Sequence, residues 1–299
     1  MPSKQSDANK QHYETSAARP PSTDPADAIE YADIHWTALT AEPGGVDYLE
    51  VTAAGTRAMW IVPHGADPTR VIFYAHGGGF ISGSIYTHRK MVGHLAKAAG
   101  CRALLYDFAY AHEHPYPHQL DTTVGIYQWL VEQGVPATQI ALAGDSAGAI
   151  LAVGLLQRLR NQGLPVPAAL VLLSGWLDMT QSAESFQTNA AKDKLFSRDT
   201  VSWLAGNVLG SMDRRDPLAS PLHADLAGLP SMYLQAGEDE TLVGESRMFA
   251  ERARSAGVAV ELDVFPGMLH TFQMMAGRAP EADEAIRKLG AWVRRHLRG

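Results

Sequence analysis

Five residues near the middle of the chain read Gly144-Asp145-Ser146-Ala147-Gly148, directly after the apolar run 139–143. The next segment, from Ala149 to Arg160, has an apolar face and predicts a helix. A strand, a turn of small residues and a helix are the setting in which a G-x-S-x-G pattern presents a serine hydroxyl from a strained corner. The pattern predicts a nucleophile at Ser146, beside the unpaired N–H groups of the helix start. An ordinary turn of glycine and serine has the same letters, so the rest of the chain has to decide.

Continuous apolar runs alternate with helical patterns on both sides of this motif. A predicted hairpin over 46–62 comes first. The buried strands are then predicted at 71–75, 102–108, 140–143, 168–173, 232–235 and 258–265, and the helices at 88–99, 124–132, 149–160, 245–256 and 280–297. Strands covered on both faces, alternating with helices at short spacing, predict an α/β fold with a mostly parallel sheet.

Two regions fall outside this alternation. More than fifty residues separate Gly175 from Leu229, and they include a helical pattern at 198–209. Long excursions of this kind are often lids over a site, so we predict a helical lid. Residues 1–25 are polar and contain Pro20-Pro21, which fits either a mobile tail or a short helix that docks elsewhere. A short amphipathic helix is predicted over 29–39.

A serine nucleophile needs a base, and the order of residues along the chain selects one. In a strand–turn–helix sheet the partners follow in the order Ser, acid, His, and nine of the twelve histidines precede Ser146. His223 lies before the strand whose loop should carry the acid. His296 lies among arginines on the terminal helix. His270 follows the last strand, where a loop can aim it back at the turn, so we predict that His270 is the base.

The acid is expected on the loop after strand 232–235, where three adjacent carboxylates compete. Glu238, Asp239 and Glu240 all lie there, and chemistry alone does not choose among them. The oxyanion needs N–H donors, and His76-Gly77-Gly78-Gly79-Phe80 follows the first buried strand. Consecutive glycines let backbone N–H groups approach a substrate closely, and the residue after the nucleophile, Ala147, adds another donor. We assign His76 a structural hydrogen-bonding role.

Composition excludes several other functions. A net charge of −7 argues against a nucleic-acid or anionic-membrane partner, and the single cysteine, Cys101, gives no intramolecular disulfide framework. No apolar leader or membrane-spanning stretch is evident, so we expect a cytoplasmic protein. We expect no metal: His112, His114 and His118 lie close together but in a proline-rich segment. We expect no cofactor either.

The two glycine motifs, HGGGF at 76–80 and GDSAG at 144–148, resemble those of the bacterial hormone-sensitive-lipase-like esterases. Segments 110–117 and 220–230 resemble further parts of that family, so the resemblance covers about 45–295. It implies an α/β-hydrolase fold, a catalytic domain over 41–299, an N-terminal tail and cap helix over 1–40, and a cap insertion over about 176–212.

The same resemblance implies site residues and an activity. The nucleophile would be Ser146 and the base His270, with oxyanion donors on Gly78, Gly79 and Ala147. The family's G-x-D-E-x-L pattern fits 237–242 and implies Glu240 as the acid, with Asp239 as the alternative. The expected activity is hydrolysis of short- to medium-chain carboxylic esters. Lactone or amide hydrolysis by the same triad, and a non-catalytic ligand receptor on the same fold, are the alternatives.

The substrate and the assembly are less strongly specified. Apolar residues near the motifs are candidates for pocket walls or for core, and we predict walls at Phe80, Trp176, Trp203, Leu204, Val208 and Met274-Met275. The expected partner is a small-molecule ester. Because edge-strand dimers are common in the family, the resemblance also implies a homodimer.

Overall fold

The computed structural model describes residues 2–19 and 24–297, and within them eight strands form one sheet. The spatial order is β1-β2-β4-β3-β5-β6-β7-β8. β1 and β2 pair antiparallel, as do β2 and β4, and the remaining neighbours are parallel, so the predicted mostly parallel sheet is confirmed. The strands are β1 Val46–Ala53, β2 Thr56–Pro63, β3 Asp67–Ala75, β4 Cys101–Tyr106, β5 Ile140–Asp145, β6 Ala169–Leu173, β7 Ser231–Gly237 and β8 Val260–Phe265.

The described ranges also contain α-helices and three short 3-10 segments. The helices are α1 Lys4–Ala17, α2 Pro25–Leu39, α3 Ile85–Ala99, α4 His118–Glu132, α5 Gly148–Asn161, α6 Ser185–Thr188, α7 Arg198–Leu209, α8 Val243–Ser255 and α9 Pro280–His296. The 3-10 segments are Ala137–Gln139, Pro221–His223 and Phe272–Met275. No helix in this part of the chain is both long and apolar enough to cross a membrane.

The middle of the sheet is buried on both faces, as its apolar runs predict. Along β3, Phe73 packs into one core layer while Ile72 and Tyr74 pack into the other, because successive side chains of a strand point to opposite faces. The carboxyl ends of parallel strands share one edge of the sheet, where sites of open α/β folds form. The glycine loop after β3, the serine turn after β5 and the loops after β7 and β8 therefore meet there.

The N-terminal segment forms a docked helix, one of the two structures that its polar sequence allowed. Ser3 donates to the carboxylate of Glu281 from its N–H at 2.6 Å and its hydroxyl at 2.7 Å, and Ser6 donates to the same carboxylate at 2.8 Å. Tyr13 is fully buried. The mobile-tail alternative is therefore wrong for α1, while Pro20 and Pro21 lie outside the described residues.

Helix starts differ from the predictions where the first turn is polar. α3 begins at Ile85, three residues before the predicted His88, because the Ser84 hydroxyl accepts from the N–H groups of the first turn. α4 begins at His118 and not at residue 124, since its first turn carries polar residues that hide the helical period. The predicted helix over 198–209 is confirmed as α7.

Candidate active site

Ser146 occupies a strained turn between β5 and α5. Its φ is +50°, a left-handed conformation that is costly for a residue with a side chain. Its N–H donates to the Leu173 carbonyl at 3.0 Å, and its own carbonyl accepts from the Trp176 N–H at 2.9 Å. A Cβ on Gly148 would overlap the carbonyl oxygen of Ala75, so only glycine lets the helix start this close to β3. The neighbouring backbone thus holds the serine in its strained conformation.

His270 lies on the loop after β8 and lines the same cavity as Ser146. Its side chain is buried, and its carbonyl accepts a hydrogen bond from the Tyr13 hydroxyl at 2.5 Å. The Phe196 ring packs edge-on against the imidazole, with 4.9 Å between centroids and 80° between planes. The base predicted from chain order is therefore held by the N-terminal helix on one side and by the insertion on the other.

The structure separates the three competing carboxylates. Glu240 is fully buried, and its Oε2 lies 3.6 Å from Nδ1 of His270. Asp239 faces Lys192, with 3.3 Å between its Oδ1 and the Lys192 Nζ. Glu238 is exposed and accepts from the Gly267 N–H at 3.3 Å. Of the three, Glu240 is the carboxylate placed to orient His270.

Backbone N–H groups gather at the glycine loop. Gly78 and Gly79 have φ values of +114° and +63° and line the cavity with Ser146. Within the described part of the chain, the N–H groups of Gly78, Gly79 and Ala147 donate to no other protein group. The Gly77 N–H is already engaged, because it donates to Oδ1 of Asp145 at 2.9 Å. Three donors are therefore free to stabilise an oxyanion.

Asp145 has a role that the sequence reasoning missed. Its buried carboxylate accepts from the Gly77 N–H, from the Tyr74 hydroxyl at 3.0 Å and from Nε2 of His88 at 3.3 Å. Burial acts to raise the pKa of Asp145, but the charge of His88 and the hydrogen bonds of His88 and Tyr74 outweigh it and hold that pKa below its ordinary value. Asp145 ties the glycine loop to the serine turn. The sequence feature that could have revealed this role is a carboxylate at the end of a buried strand.

His76 begins the glycine loop and is itself buried. Its Nδ1 lies 2.6 Å from the Gly77 carbonyl, and its ring stacks on Phe108 with 4.2 Å between centroids. Burial lowers the pKa of His76 to about 4. The ring is therefore neutral near neutral pH, with Nδ1 donating to the carbonyl, in agreement with the structural role that we predicted.

A cavity of about 290 Å³ opens onto Ser146, and both extra-sheet regions contribute to its walls. Helices α1 and α2 supply Ser16, Tyr31, Ala32 and Trp36, and the insertion supplies Leu195, Phe196 and Leu204. The loop after β8 adds Met274, one of the predicted wall residues. The walls are largely apolar, while the polar groups converge on the serine, as in most small-molecule sites.

Five of the seven predicted wall residues do not line this cavity, and two of them, Val208 and Met275, are buried in the core. Phe80 is fully buried in the core against Phe108 and Tyr116, and Trp176 is buried in the same core layer. Trp203 is 58% exposed on the outer face of α7. Consecutive helical residues point about 100° apart, so when Leu204 faces the cavity, Trp203 does not. The apolar character of these residues in the sequence could not tell whether each lies in the cavity wall, in the core or on the surface.

Together, these features define a serine hydrolase of the α/β-hydrolase fold: a strained serine, a histidine beside a buried carboxylate, and free N–H donors at one edge of a mostly parallel sheet.

Comparison with known proteins identifies the family. A family model described as "alpha/beta hydrolase fold" matches residues 72–274. An acetyl-hydrolase of Streptomyces hygroscopicus is 38% identical over 256 residues, covering 86% of this chain and 84% of that protein. An esterase of Acinetobacter venetianus is 37% identical over 237 residues, covering 79% and 78%. The chain therefore belongs to the α/β-hydrolase family.

Solved structures narrow the assignment within that family. An esterase from the bacterial hormone-sensitive lipase family matches with a TM-score of 0.96 and 38% identity, over 100% of both chains. An esterase/lipase from an uncultured bacterium matches with a TM-score of 0.92 and 32% identity, over 99% of both. The predicted fold and the predicted likeness to hormone-sensitive-lipase-like esterases are confirmed.

Proposed function

We propose that this protein hydrolyses short- to medium-chain carboxylic esters through an acyl-enzyme on Ser146. Its class, a carboxylic ester hydrolase, follows from the family; the proposal concerns the residues and the range of substrates. One observation carries it: strained Ser146 shares a single cavity with His270 and with the unengaged N–H groups of Gly78 and Gly79. We assign Glu240 as the acid that orients His270.

In the proposed reaction, His270 accepts the hydroxyl proton of Ser146 as Oγ attacks the ester carbonyl carbon. The carbonyl oxygen becomes an oxyanion, stabilised by the N–H groups of Gly78, Gly79 and Ala147. Collapse breaks the bond to the alcohol, which leaves with the proton from His270. Water then attacks the acyl carbon and gives a proton to His270, and His270 returns that proton to Oγ of Ser146 as the acyl–Oγ bond breaks and the carboxylic acid leaves.

The Glu240 carboxylate has a defined part in this cycle. It faces Nδ1 of His270 at 3.6 Å, longer than a hydrogen bond, and positive charge appears on that ring in the transition state. Such contacts are often long without substrate and shorten when charge develops. Glu240 therefore stabilises the imidazolium ion more than the neutral imidazole, which is the requirement for catalysis.

The size of the cavity supports short acyl groups. Ligand pockets generally occupy about 300–1,000 Å³, and a cavity of about 290 Å³ lies at the lower end. Its apolar walls favour a hydrocarbon acyl or alcohol group over a charged one. A homodimer and a cytoplasmic location stay predictions of the sequence.

Replacing the nucleophile tests the assignment. Ser146→Ala should keep the wild-type unfolding temperature within a few degrees and lower kcat on a short-chain aryl ester at least about 10⁴-fold. A matched control is Ser255→Ala, which removes an exposed hydroxyl at the end of α8 and should retain activity. An organophosphonate should label the wild type and Ser255→Ala but not Ser146→Ala. Undiminished turnover by Ser146→Ala would contradict the proposal.

Substrate series separate the remaining alternatives. We expect kcat/KM on aryl esters to peak at short to medium acyl chains and to exceed that on matched lactones and amides. A preference for lactone or amide would move the assignment to that bond type with the same triad. No turnover together with no phosphonate labelling would favour the receptor alternative.

A further inference from the structure

The insertion between β6 and β7 is joined to the loop that carries Glu240 by a set of polar contacts. We call residues 185–196 of the insertion the tether and residues 238–244 the acid loop. The Ser185 hydroxyl donates to the Thr241 carbonyl at 2.5 Å. The Asn189 amide donates to the Glu238 and Glu240 carbonyls at 2.8 and 2.9 Å. The tether thus contacts the acid loop along most of its length.

One carboxylate in the tether makes four of the hydrogen bonds in this region. Asp193 is 8% exposed. Its Oδ1 accepts from the N–H groups of Leu195 and Phe196 at 2.9 and 3.0 Å. Its Oδ2 accepts from the N–H and the hydroxyl of Thr241 at 2.7 and 2.9 Å. Each oxygen therefore holds a different segment of the chain.

The two segments held by Asp193 lead to two different members of the proposed triad. Thr241 is the residue directly after Glu240, so holding the Thr241 N–H also holds the peptide group that Glu240 and Thr241 share. Phe196 packs edge-on against the His270 ring, and fixing its N–H fixes the surface on which that ring rests. One buried side chain connects the acid and the base through its two oxygens.

We propose that Asp193 is a positioning residue that sets the relative placement of Glu240 and His270 through Thr241 and Phe196. The inference rests on the proposed function, because it assigns Asp193 a part in the same reaction. Catalytic geometry is sensitive to small displacements, and a misplacement of about 1 Å can cost about 10²-fold in rate. The Glu240 side chain can be displaced in this way, because its carboxylate makes no hydrogen bond within the described residues.

A carboxylate is required at position 193 because both of its oxygens accept two hydrogen bonds. An asparagine has one carbonyl oxygen and one NH₂ group, and the NH₂ group is a donor only. The carbonyl oxygen of the asparagine can accept either from Leu195 and Phe196 or from Thr241. Its NH₂ group then points at the other pair of donors, from which it cannot accept a hydrogen bond. Asp193→Asn thus breaks one side of the connection with almost no change in volume.

The same insertion supplies a matched control in Asp178. It is fully buried and accepts four hydrogen bonds, at 2.9 and 2.6 Å from the N–H and hydroxyl of Thr180 and at 2.9 and 2.5 Å from those of Ser182. Its Oδ1 also lies 3.4 Å from Nε2 of His223. These hydrogen bonds close a turn within the insertion itself. Asp178→Asn therefore removes comparable bonds without touching the acid loop.

The experiment compares Asp193→Asn with Asp178→Asn in the full chain. We expect Asp193→Asn to lower kcat on a short-chain aryl ester about tenfold or more, with KM within about twofold, and to slow phosphonate labelling of Ser146 by a similar factor. Asp178→Asn should lower the unfolding temperature at least as much while kcat stays within about twofold. The inference is overturned if Asp193→Asn loses stability but keeps kcat, or if both variants lose kcat equally.

Thr241→Val adds a second test and covers the case in which Asp193→Asn does not fold. It removes the hydroxyl donor to Asp193 and keeps the backbone donor, so kcat should fall about threefold with KM unchanged. In the double variant the losses should be less than multiplicative, because both substitutions break the same connection. Unchanged kcat in Thr241→Val, or fully multiplicative losses, contradicts the inference. A wild type that hydrolyses no ester contradicts the proposed function instead.

Discussion

The serine turn and the cap over it are held in different ways. The turn is fixed by backbone: the peptide groups next to Ser146 bond to β6 and to the residues after it, and Gly148 lies against the backbone of β3. The cap, formed by α1, α2 and the insertion, is fixed by side chains such as Tyr13 and Asp193. A backbone frame tolerates almost no added atoms, whereas a side-chain frame tolerates substitution with graded losses.

The largest expected effect breaks the backbone frame. Gly148→Ala places a methyl group against the Ala75 carbonyl, which is part of the sheet and cannot move aside, so we expect a loss of about 3 kcal/mol or more in the free energy of unfolding. Gly154→Ala, six residues further along α5, meets only the flexible end of Leu120, with 3.1 Å to the nearest carbon. It should change stability by less than about 1 kcal/mol. Urea unfolding of both variants measures the difference, and equal losses would contradict a rigid backbone frame.

The next effect concerns Asp145, a buried carboxylate beside the serine turn. Asp145→Asn should cost about 2–3 kcal/mol at neutral pH, because the buried hydrogen bonds that the carboxylate accepts from Gly77, Tyr74 and His88 are weakened or lost. The pKa of Asp145 is lowered by folding, so its contribution is fully present above its ordinary value of 3.8 and is lost as the pH falls through the lowered pKa. The stability advantage of the wild type should therefore start to shrink below pH 3.8. Urea unfolding across this range tests it, and a variant as stable as the wild type at neutral pH would contradict it.

A smaller effect is expected from the side-chain frame at α1. Tyr13→Phe removes the donor to the His270 carbonyl and should cost about 1 kcal/mol, with kcat three- to tenfold lower as the base loses its support. Tyr127→Phe removes the same kind of bond, from a hydroxyl to the Pro165 carbonyl at 2.9 Å, on α4. It should cost similar stability with kcat unchanged. Thermal unfolding and steady-state kinetics distinguish the two, and equal kcat values would mean that α1 does not position the base.

The smallest effect compares two neighbours on α7. Leu204 lies over the glycine loop, since a Cβ on Gly79 would be 3.3 Å from its Cδ2, and it lines the cavity. Leu204→Ala should raise KM for short acyl esters about threefold and shift the preference toward longer chains. Trp203→Ala should leave KM unchanged and stability within about 0.5 kcal/mol, because its ring is mostly exposed. An acyl-chain series on both variants checks this, and a larger effect from Trp203→Ala would place the cavity wall elsewhere.

The same contrast explains which parts of the molecule could be predicted from sequence. Backbone frames depend on glycine and on buried apolar runs, which are visible as letters and spacing, so the sheet, the serine turn and the glycine loop were predictable. Chain order then left His270 as the one convincing base. These features depend on local sequence and topology alone.

Side-chain frames depend on which groups meet in space, and sequence spacing does not give that. Three adjacent carboxylates looked alike until burial placed Glu240 beside His270 and Asp239 beside Lys192. The sequence of α1 shows no helical repeat of apolar residues, because α1 buries few residues. Tyr13 is one of those few. The role proposed for Asp193 had no signal in the sequence, since it needs contact with Thr241, 48 positions away.

The docking of α1 has a consequence for how the protein comes to be active during synthesis. Ser3 bonds to Glu281 across 278 positions, and Tyr13 bonds to the His270 carbonyl across 257. α1 is made long before its partners and meets them only when residues 270–281 have left the ribosome, which at about 5–20 residues per second is many seconds later. Until then Tyr13 has no site to occupy, and the cavity lacks a wall. The nascent chain therefore stays without a complete site until residues 270–281 have been made, however early α1 itself is synthesised.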